Sequence, residues 1–131
     1  MITILVLDDS LNWRENAERI LKKNPSFKAI CPNDVVSGIN NDLNAYMAKV
    51  IEDDKPDVIL TDIMFGHTPK LMDAGFKIAR FMKQHYPSIP VIGMSSGFVS
   101  EEDTQACGMS RFVFKAHLET LIPLINELVG A

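Results

Sequence analysis

The segment ITILVLDDS at residues 2–10 decides how the rest of the chain is interpreted. Its first part, Ile2–Leu7, is a continuous apolar run rich in β-branched side chains, which is typical of a strand covered on both faces. The run stops at Asp8-Asp9-Ser10, whose short polar side chains favour the start of a helix. A buried strand followed directly by a helix is the first unit of a possible α/β alternation.

Short apolar runs alternate with longer amphipathic stretches along the whole chain. Further strands are predicted at residues 28–31, 57–61, 90–94 and 112–114. Helices are predicted after each strand, including one of roughly 30 Å from Asp34 onward. Pro123 should make the last helix start late or kink. Five strands alternating with five helices predict a doubly wound, five-stranded parallel sheet with helices on both faces.

Composition and charge exclude several classes of protein. The 131 residues fit one domain, and 47% hydrophobic with 23% charged residues is close to the globular average. A net charge of -4 disfavours a nucleic-acid-binding module but not a cation site. Cys31 and Cys107 are too few for a disulfide framework or a zinc site. Neither a membrane span nor a secretion signal is found, so we expect one cytoplasmic domain over residues 1–131.

Polar side chains follow four of the predicted strands at the point where each strand ends. They are Asp8 and Asp9, Asp62, Ser95 with Ser96, and Lys115. Taken singly, each has an ordinary explanation, such as a helix cap, a loop acid, a turn or a solvated lysine. Ligands of doubly wound sheets bind at the carboxyl ends of the strands, however, so we expect these side chains to converge.

The chemistry of such a cluster is specific. Three close carboxylates repel one another, and a hard divalent cation such as Mg²⁺ relieves that repulsion. One carboxylate can then attack phosphorus, while a lysine and a hydroxyl bind the phosphoryl oxygens. The residue types are those that phosphoryl transfer to an aspartate requires.

At these residues the chain resembles the receiver domains of two-component response regulators, along essentially its whole length. The resemblance rests on the strand ending in Asp8-Asp9 and on VILTD (58–62), PVIGMS (90–95) and FVFK (112–115). Ser95 and Lys115 follow Asp62 by 33 and 53 residues, close to the usual spacing of the family. The resemblance implies a flavodoxin-like (βα)5 fold with strand order 2-1-3-4-5.

The resemblance also implies a role for each residue of the site. Asp62 would be the phosphoacceptor, and Lys115 would pair with the phosphoryl group. Asp9 would ligate Mg²⁺ directly and Asp8 mainly through water, with the backbone carbonyl of Met64 completing the protein ligands. 

Two further residues would form the switch that the resemblance implies. Ser95 would move to bind a phosphoryl oxygen, and the aromatic ring of Phe112 would swing inward as it does so. The phosphodonor would be a sensor histidine kinase or a histidine phosphotransfer protein. The output would be contact with a downstream protein, passage of the phosphoryl group to another histidine, or phosphorylation-linked homodimerisation, without direct nucleic-acid or membrane binding. The family commonly uses the face built from the fourth helix, fifth strand and fifth helix for protein contacts.

Some positions depart from the pattern of the family. Ala116 stands where proline often follows the lysine, so we expect a trans peptide bond there. Phe65-Gly66 replaces the usual Met-Pro step, and His67–Met72 resembles an insertion. We interpret His67 as a loop residue rather than a ligand. The long stretch between Asp9 and Asp62 should lengthen the second helix.

Other functions remain open at this stage. A haloacid-dehalogenase-type phosphatase also forms an aspartyl phosphate, but it requires Asp-x-Asp after the first strand, whereas Asp8 and Asp9 are adjacent. A flavodoxin-like interaction module without phosphorylation is the other alternative. We favour a signalling phosphoacceptor that is not an enzyme acting on a separate substrate. A stand-alone receiver and a piece of a longer regulator would have the same sequence here.

Overall fold

Five parallel strands form one sheet in the computed structural model, which describes residues 1–66, 68–97 and 99–130. The strands are β1 (Ile2–Leu7), β2 (Phe27–Ile30), β3 (Val58–Asp62), β4 (Val91–Ser95) and β5 (Arg111–Phe114). Their order is β2-β1-β3-β4-β5, and every neighbouring pair is parallel. The predicted fold class and strand order are confirmed.

Helices connect the strands at the predicted places, with two additions. They are α1 (Leu11–Leu21), α2 (Val35–Asp54), α3 (Pro69–Met72), α4 (Ala74–His85), α5 (Glu101–Ala106) and α6 (Leu121–Val129). The additions are the single turn α3, which lies in the predicted insertion, and a 3₁₀ segment at Lys115–Thr120. None of the described helices is long and apolar enough to cross a membrane.

The sheet has an apolar layer on each face because successive side chains of a strand point to opposite sides. Leu5 and Leu7 of β1 pack with residues of α2 and α4 in one cluster. Ile4 and Val6 pack with residues of α1 and α6 in the other. Residues Ile4–Leu7 of β1 are therefore buried on both faces, as the continuous apolar run predicts, and the polar groups follow at the carboxyl end of the strand.

The long helix α2 is interrupted, which corrects the prediction of a single helix of roughly 30 Å. Asp42 has φ −160° and ψ 103°, which interrupts the helix. Its Oδ1 accepts a hydrogen bond from the Ala45 N–H at 3.0 Å, so Asp42 caps the second segment. Tyr46 folds back over Gly38, and its hydroxyl donates to Asp34 Oδ1 at 2.9 Å.

The last helix starts late, as Pro123 predicts. The chain first forms the 3₁₀ segment and enters α6 at Leu121, which places Pro123 in the first turn, where its missing N–H is tolerated. The described residues contain no cis peptide bond, so the Lys115–Ala116 bond is trans, as expected.

Candidate functional site

The central strands β1 and β3 bring two of the predicted acids together. Leu7 is paired with Thr61 in the sheet register, so the next residues, Asp8 and Asp62, emerge side by side. β5 lies on the other side of β4, and Lys115 follows its last residue at the same edge. Asp8, Asp62 and Lys115 therefore converge at the strand ends, as the sequence predicts.

Lys115 bridges the two acids in a buried environment. Its Nζ lies 2.8 Å from Asp8 Oδ2 and 3.3 Å from Asp62 Oδ2. The three side chains are 5%, 0% and 9% exposed for Lys115, Asp8 and Asp62 respectively. Water screens these charges poorly, so their interactions are far stronger than those of a surface pair.

Asp9 completes a group of three carboxylates. One oxygen of each of Asp8, Asp9 and Asp62 lies within 4.8 Å of the others. Unlike its neighbour Asp8, Asp9 is exposed to solvent. The site therefore has two buried acids and one solvent-exposed acid.

The three acids carry more negative charge than Lys115 compensates. Burial, followed by the charge of Asp8, raises the pKa of Asp62 to about 6, although Lys115 and the Ile63 N–H act in the opposite direction. Burial and the charge of Asp8 also raise the pKa of Asp9. Both shifts favour the neutral acids, which is the behaviour of a site that lacks one positive charge.

Hydrogen bonds from neighbouring residues hold two of the three acids. The Ser10 N–H donates to Asp8 Oδ1 at 2.9 Å, and Arg14 Nη1 donates to the Asp8 carbonyl oxygen at 2.9 Å. The Ile63 N–H donates to Asp62 Oδ1 at 2.8 Å. Asp8 and Asp62 are thus held in place by short-range contacts from the first turn of α1 and from the end of β3.

Gly75, at the start of α4, lets that helix lie against the end of β3. Its N–H donates to the Ile63 carbonyl at 2.9 Å. A Cβ atom at this position would lie 2.5 Å from Ile63 Cα and would also collide with the Asp62 carbonyl oxygen. Only glycine allows this approach, so residue 75 helps to set the position of Asp62.

The donor set suits a hard divalent cation. The side-chain ligands on offer are carboxylate oxygens, which Mg²⁺ prefers. Asp8 Oδ2 is buried and, apart from its ion pair with Lys115, accepts no hydrogen bond from the described residues. The cluster could therefore hold a metal ion.

Comparisons with known proteins agree with this architecture. No family model matches the chain. The transcriptional regulatory protein DegU of Brevibacillus brevis is 34% identical over 94 residues, which are 72% of this chain. Because those residues span only 34% of DegU, this chain corresponds to about a third of that relative.

Solved structures match almost the entire chain. A LuxR-family DNA-binding response regulator of Staphylococcus aureus matches with a TM-score of 0.73 at 20% identity, covering 98% of this chain and 99% of that one. A response regulator of Thermotoga maritima matches with a TM-score of 0.74 at 15% identity, covering 100% and 99%. The receiver domain of NarL from Mycobacterium tuberculosis matches with a TM-score of 0.70 at 19% identity, covering 99% and 98%.

The chain has the fold of a response-regulator receiver domain. The resemblance predicted from its sequence is confirmed by these neighbours. In this receiver fold the two predicted switch residues lie on β4 and β5. Ser95 is half-buried, and its Oγ accepts a hydrogen bond from the Gly97 N–H at 3.1 Å.

Phe112 lies half-buried on β5 beside Phe114. The two rings meet edge to face, with their centroids 5.1 Å apart and an interplanar angle of 87°. Phe114 is 42% exposed, so this aromatic pair reaches from the core to the surface. The assignment of Phe112 and Ser95 as a switch remains a prediction.

Met64 and His67 are the remaining residues named from the sequence. The Met64 side chain is 46% exposed, and the role predicted for its backbone carbonyl stays a prediction. His67 lies outside the described residues. The rest of the predicted insertion contains α3, whose Leu71 packs into the core.

Sequence reasoning missed one neighbour of the site. Trp13, on α1, places its ring next to Lys115, with Nζ 5.2 Å from the ring centroid. In the sequence, Trp13 has the helical spacing of an apolar position, shared with Ala17 and Leu21. Its position four residues after Asp9 was the feature that could have indicated proximity to the acids.

Proposed function

We propose that this chain is a phosphoacceptor receiver domain that switches a protein-interaction surface when Asp62 is phosphorylated. The observation that supports it best is Lys115 Nζ, buried 2.8 Å from Asp8 and 3.3 Å from Asp62 at the strand ends. The donor would be the phosphohistidine of a sensor kinase or a phosphotransfer protein in the cytoplasm. The chain would act as one domain over residues 1–131.

The chemistry assigns one step to Asp62. A carboxylate oxygen attacks phosphorus and forms an O–P bond, while the N–P bond to the donor histidine breaks and its electron pair stays on the imidazole nitrogen. The Lys115 ammonium, already beside Asp62 Oδ2, would stabilise the charge on the transferred group. Burial strengthens the attraction between these charges, because water screens them less.

Mg²⁺ fits this site by its donor chemistry. Asp9, Asp8, Asp62 and the backbone carbonyl of Met64 would hold it, and when bound it would neutralise phosphoryl oxygens. Asp9 is the exposed member of the three acids, which suits a ligand that exchanges with solvent. 

The switch would run through Ser95 and Phe112. Ser95 would exchange the Gly97 N–H for a phosphoryl oxygen, leaving space into which Phe112 can move. Phosphorylation can shift the two states only by its different contacts with each, and Ser95 supplies such a contact. 

The output would pass through the face formed by α5, β5 and α6. A groove of about 710 Å³ on this face includes Phe112 and Phe114 in its lining. A change at Phe112 would therefore alter a surface that a downstream protein or a second copy of this chain can contact. With a formal charge of -4, we do not expect direct binding to nucleic acid.

Small-molecule phosphorylation tests this function. The purified protein would be incubated with acetyl phosphate and Mg²⁺, and its intact mass would be measured before and after acid treatment. We expect one phosphoryl adduct that needs Mg²⁺ and is absent from Asp62→Asn. An equal adduct on Asp62→Asn, or no adduct on the unchanged protein, would refute the proposal.

The same preparation distinguishes a phosphatase. We expect no sustained turnover of a phosphate monoester such as p-nitrophenyl phosphate. Turnover that disappears in Asp8→Asn but persists in Asp62→Asn would assign the nucleophile to Asp8 and favour the dehalogenase-type alternative.

A further inference from the structure

The aromatic ring of Trp13 lies next to Lys115 at the site. The Lys115 Nζ lies 5.2 Å from the centroid of its ring, within the range of a cation–π contact. Lys115 is only 6% exposed, so this contact is largely shielded from water. Cation–π contacts are strongest with tryptophan and when the cation is desolvated.

The ammonium thus has three neighbours of two different kinds. Asp8 and Asp62 attract it from the side of the acids, and the indole ring lies on another side. A carboxylate contact depends on the position of one oxygen, whereas a ring face attracts a cation over a broad area. The ring can keep the ammonium in the site while its carboxylate contacts change.

We propose that Trp13 is a positioning residue for Lys115, holding its ammonium at the strand ends while the charge on Asp62 changes. This inference rests on the proposed function of Asp62. It extends that function to a side chain outside the acids, lysine and hydroxyl that carry the resemblance. Trp13 would act through Lys115 and would not touch the phosphoryl group.

The helix around Trp13 supports this role. The Trp13 N–H points to Ser10 Oγ at 3.5 Å, in the first turn of α1, and Ser10 itself donates to Asp8. The ring packs against the core cluster on the α1 side of the sheet. One short segment therefore fixes both Asp8 and the ring that faces Lys115.

The fluorescence of Trp13 gives a readout that does not need phosphorylation. Trp13 is the only tryptophan of the chain, so the emission reports this ring alone. We expect Lys115→Met to change its emission maximum or quantum yield. Lys22→Met is the matched control, because it removes an exposed lysine that pairs with Glu18 at the other end of α1.

Two substitutions of Trp13 test the effect on the reaction. Trp13→Phe keeps an aromatic face, whereas Trp13→Leu removes it and keeps an apolar side chain. We expect Trp13→Leu to lower the rate of acetyl phosphate labelling by about threefold to tenfold. Trp13→Phe should keep most of the rate of the unchanged protein. Far-UV circular dichroism and urea unfolding would show that both variants are folded at the assay temperature.

The outcomes separate this inference from the proposed function. Emission unchanged by Lys115→Met, or equal labelling rates for Trp13→Leu and the unchanged protein, would overturn the positioning role. If both Trp13 variants slow labelling equally, the aromatic face is not responsible, and the role is again refuted. Failure of the unchanged protein to be labelled, with emission still sensitive to Lys115, would instead refute the phosphoacceptor proposal.

Discussion

Lys115 Nζ lies closer to Asp8 Oδ2, at 2.8 Å, than to Asp62 Oδ2, at 3.3 Å. The lysine is thus paired most closely with an acid that is not the proposed phosphoacceptor. Because Asp8 is completely buried, it depends on this partner for its charge compensation.

Removal of Lys115 should destabilise the metal-free protein. Lys115→Met leaves the buried Asp8 carboxylate unpaired, which should lower the free energy of unfolding by about 3 kcal/mol. Urea unfolding in EDTA would measure this, and Mg²⁺ should recover part of the loss. Lys22→Met, which breaks an exposed pair, should change the free energy of unfolding far less. Equal effects of the two substitutions would contradict the account.

Asp62 should make stability depend on pH. Its pKa is raised from 3.8 to about 6 on folding, so the folded state keeps the Asp62 proton up to a higher pH than the unfolded state does. Ionising Asp62 therefore costs folding free energy, a cost that builds as the pH rises from about 4 and is complete above about 6.

Asp62→Asn removes that cost without changing the shape of the side chain. In EDTA at pH 8 we expect it to stabilise the protein by about 1–3 kcal/mol, with a gain that shrinks as the pH falls toward 4. Thermal unfolding across this pH range would show the trend. The exposed Asp53→Asn serves as control, and a gain that grows on acidification would be the opposite of the expected sign.

Gly75 should be required for the position of Asp62. In Gly75→Ala the new methyl group would meet the backbone of Asp62 and Ile63, so β3 or α4 must move. We expect a loss of about 1–3 kcal/mol of stability and slower labelling by acetyl phosphate. Gly97→Ala has open space around its Cβ and should leave stability within about 0.5 kcal/mol. Similar stabilities for the two variants would show that the close approach at Gly75 is unimportant.

The effect of Gly38→Ala on stability should change sign when Tyr46 is removed. A methyl group on Gly38 would lie 2.6 Å from Tyr46 Cε1, so Gly38→Ala should destabilise the protein by about 1–3 kcal/mol. In a Tyr46→Ala background the clash is gone. The same substitution should then stabilise by up to about 1 kcal/mol, since alanine is the better helix former. A double-mutant cycle measured by urea unfolding would test this, and additive effects would argue against the contact.

Much of the site could be predicted because its parts stand in fixed relation to strands. Continuous apolar runs identify β1 and β3, and the first polar residue after each run must lie at the strand end. Asp8 and Asp62 could therefore be placed together before any coordinates. Lys115 followed from the same reasoning on β5.

The break in α2 could not be predicted in this way. Apolar residues keep the helical spacing across Asp42, so the periodicity of the sequence continues through the interruption. At the break Tyr46 reaches back to Asp34 across Gly38, a contact that the spacing of the apolar residues does not reveal. Likewise, the spacing of Trp13 fits a core position. That the Trp13 ring faces the site becomes clear only from the position of the Lys115 side chain, which follows β5.

The most direct test of the central claim is to map the phosphorylated residue. After labelling with acetyl phosphate and Mg²⁺, borohydride converts an aspartyl phosphate to homoserine, which peptide mass spectrometry can locate. We expect homoserine at position 62, with none in EDTA and none in Asp62→Asn. Homoserine at position 8 or 9 with residue 62 unmodified would contradict it.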